Sequence, residues 1–122
     1  MLKKSFISIN NSLDISEETT FEVFQESNLY TGQTDNRFFW LDDFCRLDDM
    51  VEKFKVGLCF RNNRIVRMEL FCADEQIGNE DERNKKHRII FERLKENYSL
   101  KYKNIENSFD ERNNYSSIVI TF

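Results

Sequence analysis

The sequence predicts an α+β fold, an antiparallel β-sheet with one long and one short helix packed on one face, and three observations carry that reading. Phe54, Val56, Leu58 and Phe60 alternate with their neighbours at a period of two, and so do Val66, Met68, Leu70 and Cys72, as two adjacent half-buried strands would. Asn79, followed by Glu80, Asp81 and Glu82, opens a stretch in which His87, Ile90, Phe91, Leu94 and Tyr98 keep helical spacing. The apolar runs are joined by local polar turns, with strands first, then the helix, then strands again, which is the order of an α+β sheet.

Taken in chain order, residues 5–15 place Ile7 and Ile9 among polar neighbours, offer a turn at Asn10-Asn11, and resume the alternation at Leu13 and Ile15. They predict a strand or a small hairpin. Thr19 with Glu22 has the spacing of a capping box and predicts a short helix near 20–27, its apolar face begun by Phe21, Val23 and Phe24. Ser27 and Asn28 end it, and Gly32 allows the reversal into a strand at Phe38-Phe39-Trp40-Leu41. Leu41-Asp42-Asp43 recurs as Leu47-Asp48-Asp49, an offset that fits neither a helix nor a strand, so 41–53 receives no assignment.

Between the two long strands, a two-residue turn at Asn62-Asn63 pairs Phe60 with Ile65 and Leu58 with Arg67, which sets a charge opposite the core face. The sequence therefore predicts an odd loop or a bulge near 63–65, with Asn supplying the left-handed conformation. The long helix runs over about 80–98, with acids in its first turn where the macrodipole favours them. A last hairpin follows: a strand around 102–109, a polar turn through 110–114, and a strand over 117–122 in which Ile118, Ile120 and Phe122 share a face.

A chain of 122 residues suits a single domain over 1–122 with one core. Twelve Phe, four Tyr and Trp40 supply ample aromatic surface for it. No run approaches the ~20 apolar residues of a membrane span, and the Met1-Leu2-Lys3-Lys4 start leads into Ser8, Asn10 and Asn11 rather than a signal peptide. Cys45, Cys72 and Cys59 suit neither a disulfide framework nor a zinc knuckle, so they read as reduced thiols of a cytoplasmic protein. With no Pro, three Gly and thirteen Asn, turns fall to Asn, Asp and Ser.

The net charge is −4, and the first sixty residues carry six cations against eleven acids. That balance argues against a nucleic-acid partner, which needs clustered cations to displace counterions. The basic and aromatic segment 98–103 does not outweigh it.

Chemistry is sparse. His87 is the single histidine and no Cys lies at metal-ligand spacing from it, so it reads as a packed helix residue and neither a triad nor a metal site is expected. Gly32, Gly57 and Gly78 stand alone, which excludes a glycine-rich phosphate loop, and no cofactor is expected. The acids Asp74, Glu75, Glu80, Asp81 and Glu82 largely cap a helix. Asp42, Asp43, Asp48, Asp49 and Glu52 have no such account, and they adjoin Phe38, Phe39 and Trp40. Aromatic anchors beside an acidic rim fit a surface that captures a basic protein, so Phe38, Trp40 and those five acids are the expected partner-binding residues.

In its acidity, its Asn/Lys/Ile/Phe-rich composition, the opening Phe6-Ile7-Ser8-Ile9-Asn10-Asn11-Ser12-Leu13 and the central Val56-Gly57-Leu58-Cys59-Phe60-Arg61-Asn62-Asn63, the chain resembles the small immunity proteins of contact-dependent inhibition and related polymorphic toxin systems. The resemblance implies a non-catalytic inhibitor that occludes the active site or partner surface of a cognate basic toxin, a nuclease among the candidates. It carries over no functional residue. The alternative is a protein-binding adaptor or a subunit of a larger assembly.

Overall fold

The two longest strands are the two alternating runs. In the computed structural model, which describes residues 3–113 and 115–122, they are β4 (Phe54–Arg61) and β5 (Arg64–Cys72). Before them come β1 (Ile7–Ile9), β2 (Leu13–Ile15), a short helix α1 (Phe21–Glu26) and β3 (Phe38–Trp40). After them come the long helix α2 (Glu80–Asn97), β6 (Asn104–Asp110) and β7 (Tyr115–Thr121). β1 and β2 form a hairpin of their own, and the other strands make one antiparallel sheet in the order β3-β4-β5-β7-β6.

One face of that sheet carries the core. Phe54, Val56, Leu58 and Phe60 of β4, Met68, Leu70 and Cys72 of β5 and Ile118 and Ile120 of β7 are buried in a single cluster. The same cluster takes in Ile7, Ile9, Leu13 and Ile15 of the hairpin, Phe24 of α1, and Ile90 and Leu94 of α2. Phe24 stacks on Phe60 at 5.3 Å between centroids, with Phe21 and Tyr30 set edge-on around them. The α+β architecture follows from the alternation and the helical stripe.

Several local details differ from the sequence expectation, each for a physical reason. The two-residue turn does form: Arg61 pairs with Arg64 and Phe60 with Ile65, and Asn62 and Asn63 both take positive φ, at 53° and 64°. A tight hairpin turn with both central residues left-handed matches the strand twist. The pairing then shifts so that Cys59 faces Arg67 and Leu58 faces Met68, leaving Val66 as the extra residue of a bulge, which is the expected bulge one residue beyond 63–65. Ile65 therefore takes the core position expected of Val66 and is 2% exposed.

The cap of α1 is Thr20, whose hydroxyl accepts from the Val23 N–H at 3.2 Å. Thr19 instead accepts from the Ser16 N–H and donates to the Asp14 carbonyl, which closes the loop after β2. Asn79 caps α2 as expected, accepting from the Glu82 N–H at 2.9 Å, while the Glu82 carboxylate reaches back one residue further than in a capping box, to the Gly78 N–H.

Segment 41–53 is neither helix nor named strand. It is threaded by single bridges, Leu47 to Ile9 on one side and Cys45 to Phe54 on the other, so that it sews the β1–β2 hairpin to the start of β4. Cys45 and Leu47 point inward and Arg46 outward, an alternation too short to read as a strand from sequence.

Asn63 ties the hairpin turn to α1. Its side-chain oxygen accepts from the Glu22 N–H at 3.0 Å, its carbonyl from Phe21, and its own N–H donates to Asp35 at 2.9 Å. Asn63→Ala forces a Cβ-bearing residue with no local side-chain bond into the left-handed region and orphans the Glu22 N–H, so it is expected to lose about 2 kcal/mol in urea unfolding. Asn63→Gly removes only the bond and is expected to lose about 1 kcal/mol.

Candidate functional site

Because opposed residues in an antiparallel pair share a face, the register fixes what lies on the side of the sheet away from the core. Phe38 and Trp40 of β3 sit beside Cys59 and Gly57 of β4, which sit beside Arg67 and Glu69 of β5, with Lys55 opposite Phe71. Val119 of β7 continues the row from Glu69. The helices and the β1–β2 hairpin are part of the core cluster on the other face.

The rings form two groups. Trp40 packs edge-on against Phe38 at 5.6 Å, and the Arg67 guanidinium lies over Phe38 at 5.2 Å. Phe71 and Tyr115 stack at 5.4 Å with planes 6° apart, and Arg83 of α2 reaches round to lie over Phe71 at 4.6 Å. Trp40, Lys55, Phe71 and Tyr115 line a shallow depression of about 240 Å³ between the groups. Phe38 can lie across the sheet only because β4 has Gly57 beneath it: any Cβ there would collide with the tip of the ring.

Arg67 pairs with Glu69 at 3.1 Å, and the Glu69 carboxylate is otherwise covered. Burial first, and then that carboxylate, push the Tyr115 hydroxyl up to about 12. Trp40 is 37% exposed and Phe38 36%, so both expected anchors present ring surface to solvent. Phe71, Tyr115, Lys55 and Arg67 belong to the same surface and sequence reading missed them. Their signal was present in β5, where Arg67, Glu69 and Phe71 occupy the positions between the core residues.

The acids expected to rim this surface divide. Asp42 and Asp43 follow Trp40 in the chain and are exposed. Asp49 is exposed too, but it lines a separate groove with Lys3, Lys4, Arg93 and Glu96. Asp48 and Glu52 are not surface charges. Asp48 adopts positive φ, accepts a hydrogen bond from the Tyr98 hydroxyl and pairs with Lys4 at 3.5 Å, its side chain 5% exposed.

Glu52 is 1% exposed and lies between Arg93 at 2.8 Å and Lys86 at 2.9 Å, both from α2. Burial, the largest single influence, works to raise its pKa, and the hydrogen bonds from Arg93 and Lys86 outweigh it, holding the carboxyl down at about 2. Glu52 fastens the irregular segment to the long helix.

His87 is fully buried. Its Nε2 accepts from the Cys72 N–H at 2.8 Å, so the ring proton is on Nδ1, which donates to Ser116 Oγ at 2.7 Å, and Ser116 donates in turn to Asn84 Oδ1 at 3.2 Å. A general base would accept a proton from the serine rather than donate one to it, so this pair is arranged to satisfy polar groups and not to activate a nucleophile. Burial, and after it the Arg83 cation, lower the His87 pKa to about 4.

Cys45, Cys59 and Cys72 are free thiols, and burial raises that of Cys45 to about 11. Among the described residues no group of three metal-ligating side chains lies close enough to hold an ion, and no helix is long and apolar enough to cross a membrane. Comparison with protein-family models, with curated proteins and with solved structures finds no match to this chain.

Proposed function

We propose that the chain is a non-catalytic binding protein that captures a protein partner on the open face of its sheet, and that the partner is the cognate toxin of an immunity pair, blocked by occlusion. The observation that carries the reading is the helix-free face bearing Trp40, Phe38, Phe71 and Tyr115 in one surface. Aromatic rings of low conformational freedom that are already positioned supply affinity at small entropic cost. Asp42 and Asp43 supply the charge that speeds encounter with a basic partner, while Asp48 and Glu52 hold the fold behind it.

Co-expression with the product of the neighbouring open reading frame tests the pairing: the expected result is a stable complex and protection of the host from toxicity, and neither appearing ends the toxin reading. Within the complex, ring and charge are expected to fail differently. Trp40→Ala should speed dissociation by roughly thirtyfold, as a truncated aromatic anchor of ~2 kcal/mol does, and leave the thermal melt almost unchanged because the ring is outside the core. Asp42→Lys with Asp43→Lys should slow association at low salt and leave dissociation alone. A large loss of thermal stability in Trp40→Ala would remove it as an anchor.

A further inference from the structure

Strand β6 ends the sheet on the side away from β3 and, among the described residues, pairs with β7 alone. An edge strand presents unpaired backbone groups, and natural proteins blunt it with lysines, proline, a bulge or a short length. β6 has no lysine, proline or bulge, its charges are Glu106 and Asp110 alone, and it runs for 7 residues, Asn-Ile-Glu-Asn-Ser-Phe-Asp, in unbroken register with β7. Phe109 is 41% exposed on it. The Asn107 Oδ1 is buried and has no hydrogen-bond partner among the described residues. The other edge, β3, is 3 residues long and offers far less backbone to a partner.

We propose that the β6 edge pairs with the same edge of a second copy, antiparallel about a twofold axis at Asn107, so that two five-stranded sheets run on as one. The register follows from symmetry and charge. An axis perpendicular to the sheet sets residues on the same face opposite one another, which restricts the centre to a residue of the strand rather than a point between two.

Centred on Glu106, the pairing opposes two Glu106 carboxylates. Centred on Ser108, it opposes Glu106 to Asp110 twice. Like charges directly opposite destabilise a sheet. Centred on Asn107, every residue of the strand has a partner and no like charges stand directly opposite, the acids being only diagonal neighbours: Asn104 faces Asp110, Ile105 faces Phe109, Glu106 faces Ser108 and Asn107 faces itself.

Ile105 and Phe109 share the core face of the sheet with Asn107, so that face gains an apolar pair on either side of an amide pair. The symmetry puts both copies of α2 on one side of the joined sheet and both open faces on the other.

Sedimentation of the purified chain over a concentration series is expected to show mass rising toward twice that of the chain. Phe109→Lys, which places a charge on the edge without touching the core, is expected to abolish the rise with an unchanged circular-dichroism spectrum. In a Cys59→Ser background, Asn107→Cys is expected to oxidise to a covalent dimer. Glu106→Cys and Ser108→Cys are expected to cross-link when mixed and not singly. A chain that stays monomeric throughout overturns the proposal, as does a dimer indifferent to Phe109→Lys or one that cross-links at 106 or 108 alone.

Discussion

Arg93→Met combined with Lys86→Met is expected to cost the fold about 3–5 kcal/mol, because it leaves the Glu52 carboxylate buried with no cation to compensate it. The two cations reach solvent along their stems whereas Glu52 does not, at side-chain exposures of 31% and 34% against 1%, so the acid is the member that suffers. Acidification separates this account from a general loss of packing.

In the native protein the carboxyl titrates near 2, below its ordinary 4.5, so the pair's contribution is complete above pH 4.5 and is lost as pH falls toward 2, about 3 kcal/mol in all. Without the cations, burial is opposed only by a backbone hydrogen bond, and the pKa is expected to rise above 4.5. The sign then reverses, and the double variant is expected to gain stability as pH falls through that raised value. Adding Glu52→Met should recover most of the loss and abolish the reversal. Urea unfolding at several pH values measures all three. A double variant that unfolds with the native pH profile would show that Glu52 is solvated by another route.

The second large effect belongs to His87. Its pKa falls from 6.5 in an unstructured chain to about 4 in the fold, so the unfolded state takes up a proton first as pH drops. The native state is therefore expected to lose about 3 kcal/mol between pH 6.5 and pH 4, with no further loss from this residue below that and none above pH 6.5. Physically, the imidazolium would have no lone pair for the Cys72 N–H and would gain a proton facing it.

His87→Gln, which can accept from Cys72 but does not titrate, is expected to be less stable at neutral pH and nearly flat across the same window. A flat profile in the wild type would mean that the ring is reached by water before the fold opens. Most of the His87 window lies above the Glu52 window, so urea unfolding followed by near-UV circular dichroism at a series of pH values separates the two contributions.

What the sequence disclosed of this molecule was whatever local periodicity encodes. Phe54 to Phe60, the Asn79 cap and the stripe from His87 to Tyr98 were readable because each rests on residues within one or two turns or on strand alternation. The acids misled because charge was read by proximity along the chain. Glu52 finds Arg93 41 residues away, and Asp48 finds Tyr98 50 residues away. No local pattern distinguishes them from the exposed Asp42 and Asp43.

At the Asn62-Asn63 turn the clash of registers did point to an irregularity, and the bulge is there, one residue past the expected 63–65; what local pattern could not tell was that Val66, on the far side of Ile65, is the residue spent on it. Half of the candidate surface was visible in the aromatic run at 38–40. The other half depended on knowing that Phe71 and Tyr115, from strands separated by α2, would stack.

The order β3-β4-β5-β7-β6 also divides the sheet by sequence, since its three strands before α2 lie on one side of the β5–β7 seam and its two strands after α2 on the other. The hairpins β4–β5 and β6–β7 close over short loops and can form early, whereas the seam must bring Leu70 to Ile118 across the whole of α2. Folding then resembles the docking of two prefolded hairpins, with α2 as the tether that limits their search. The His87 contacts span that seam, from Cys72 of β5 to Ser116 of β7, so they can form only once the halves have met. Loss of that buried bridge should therefore be felt mainly as faster unfolding rather than slower folding.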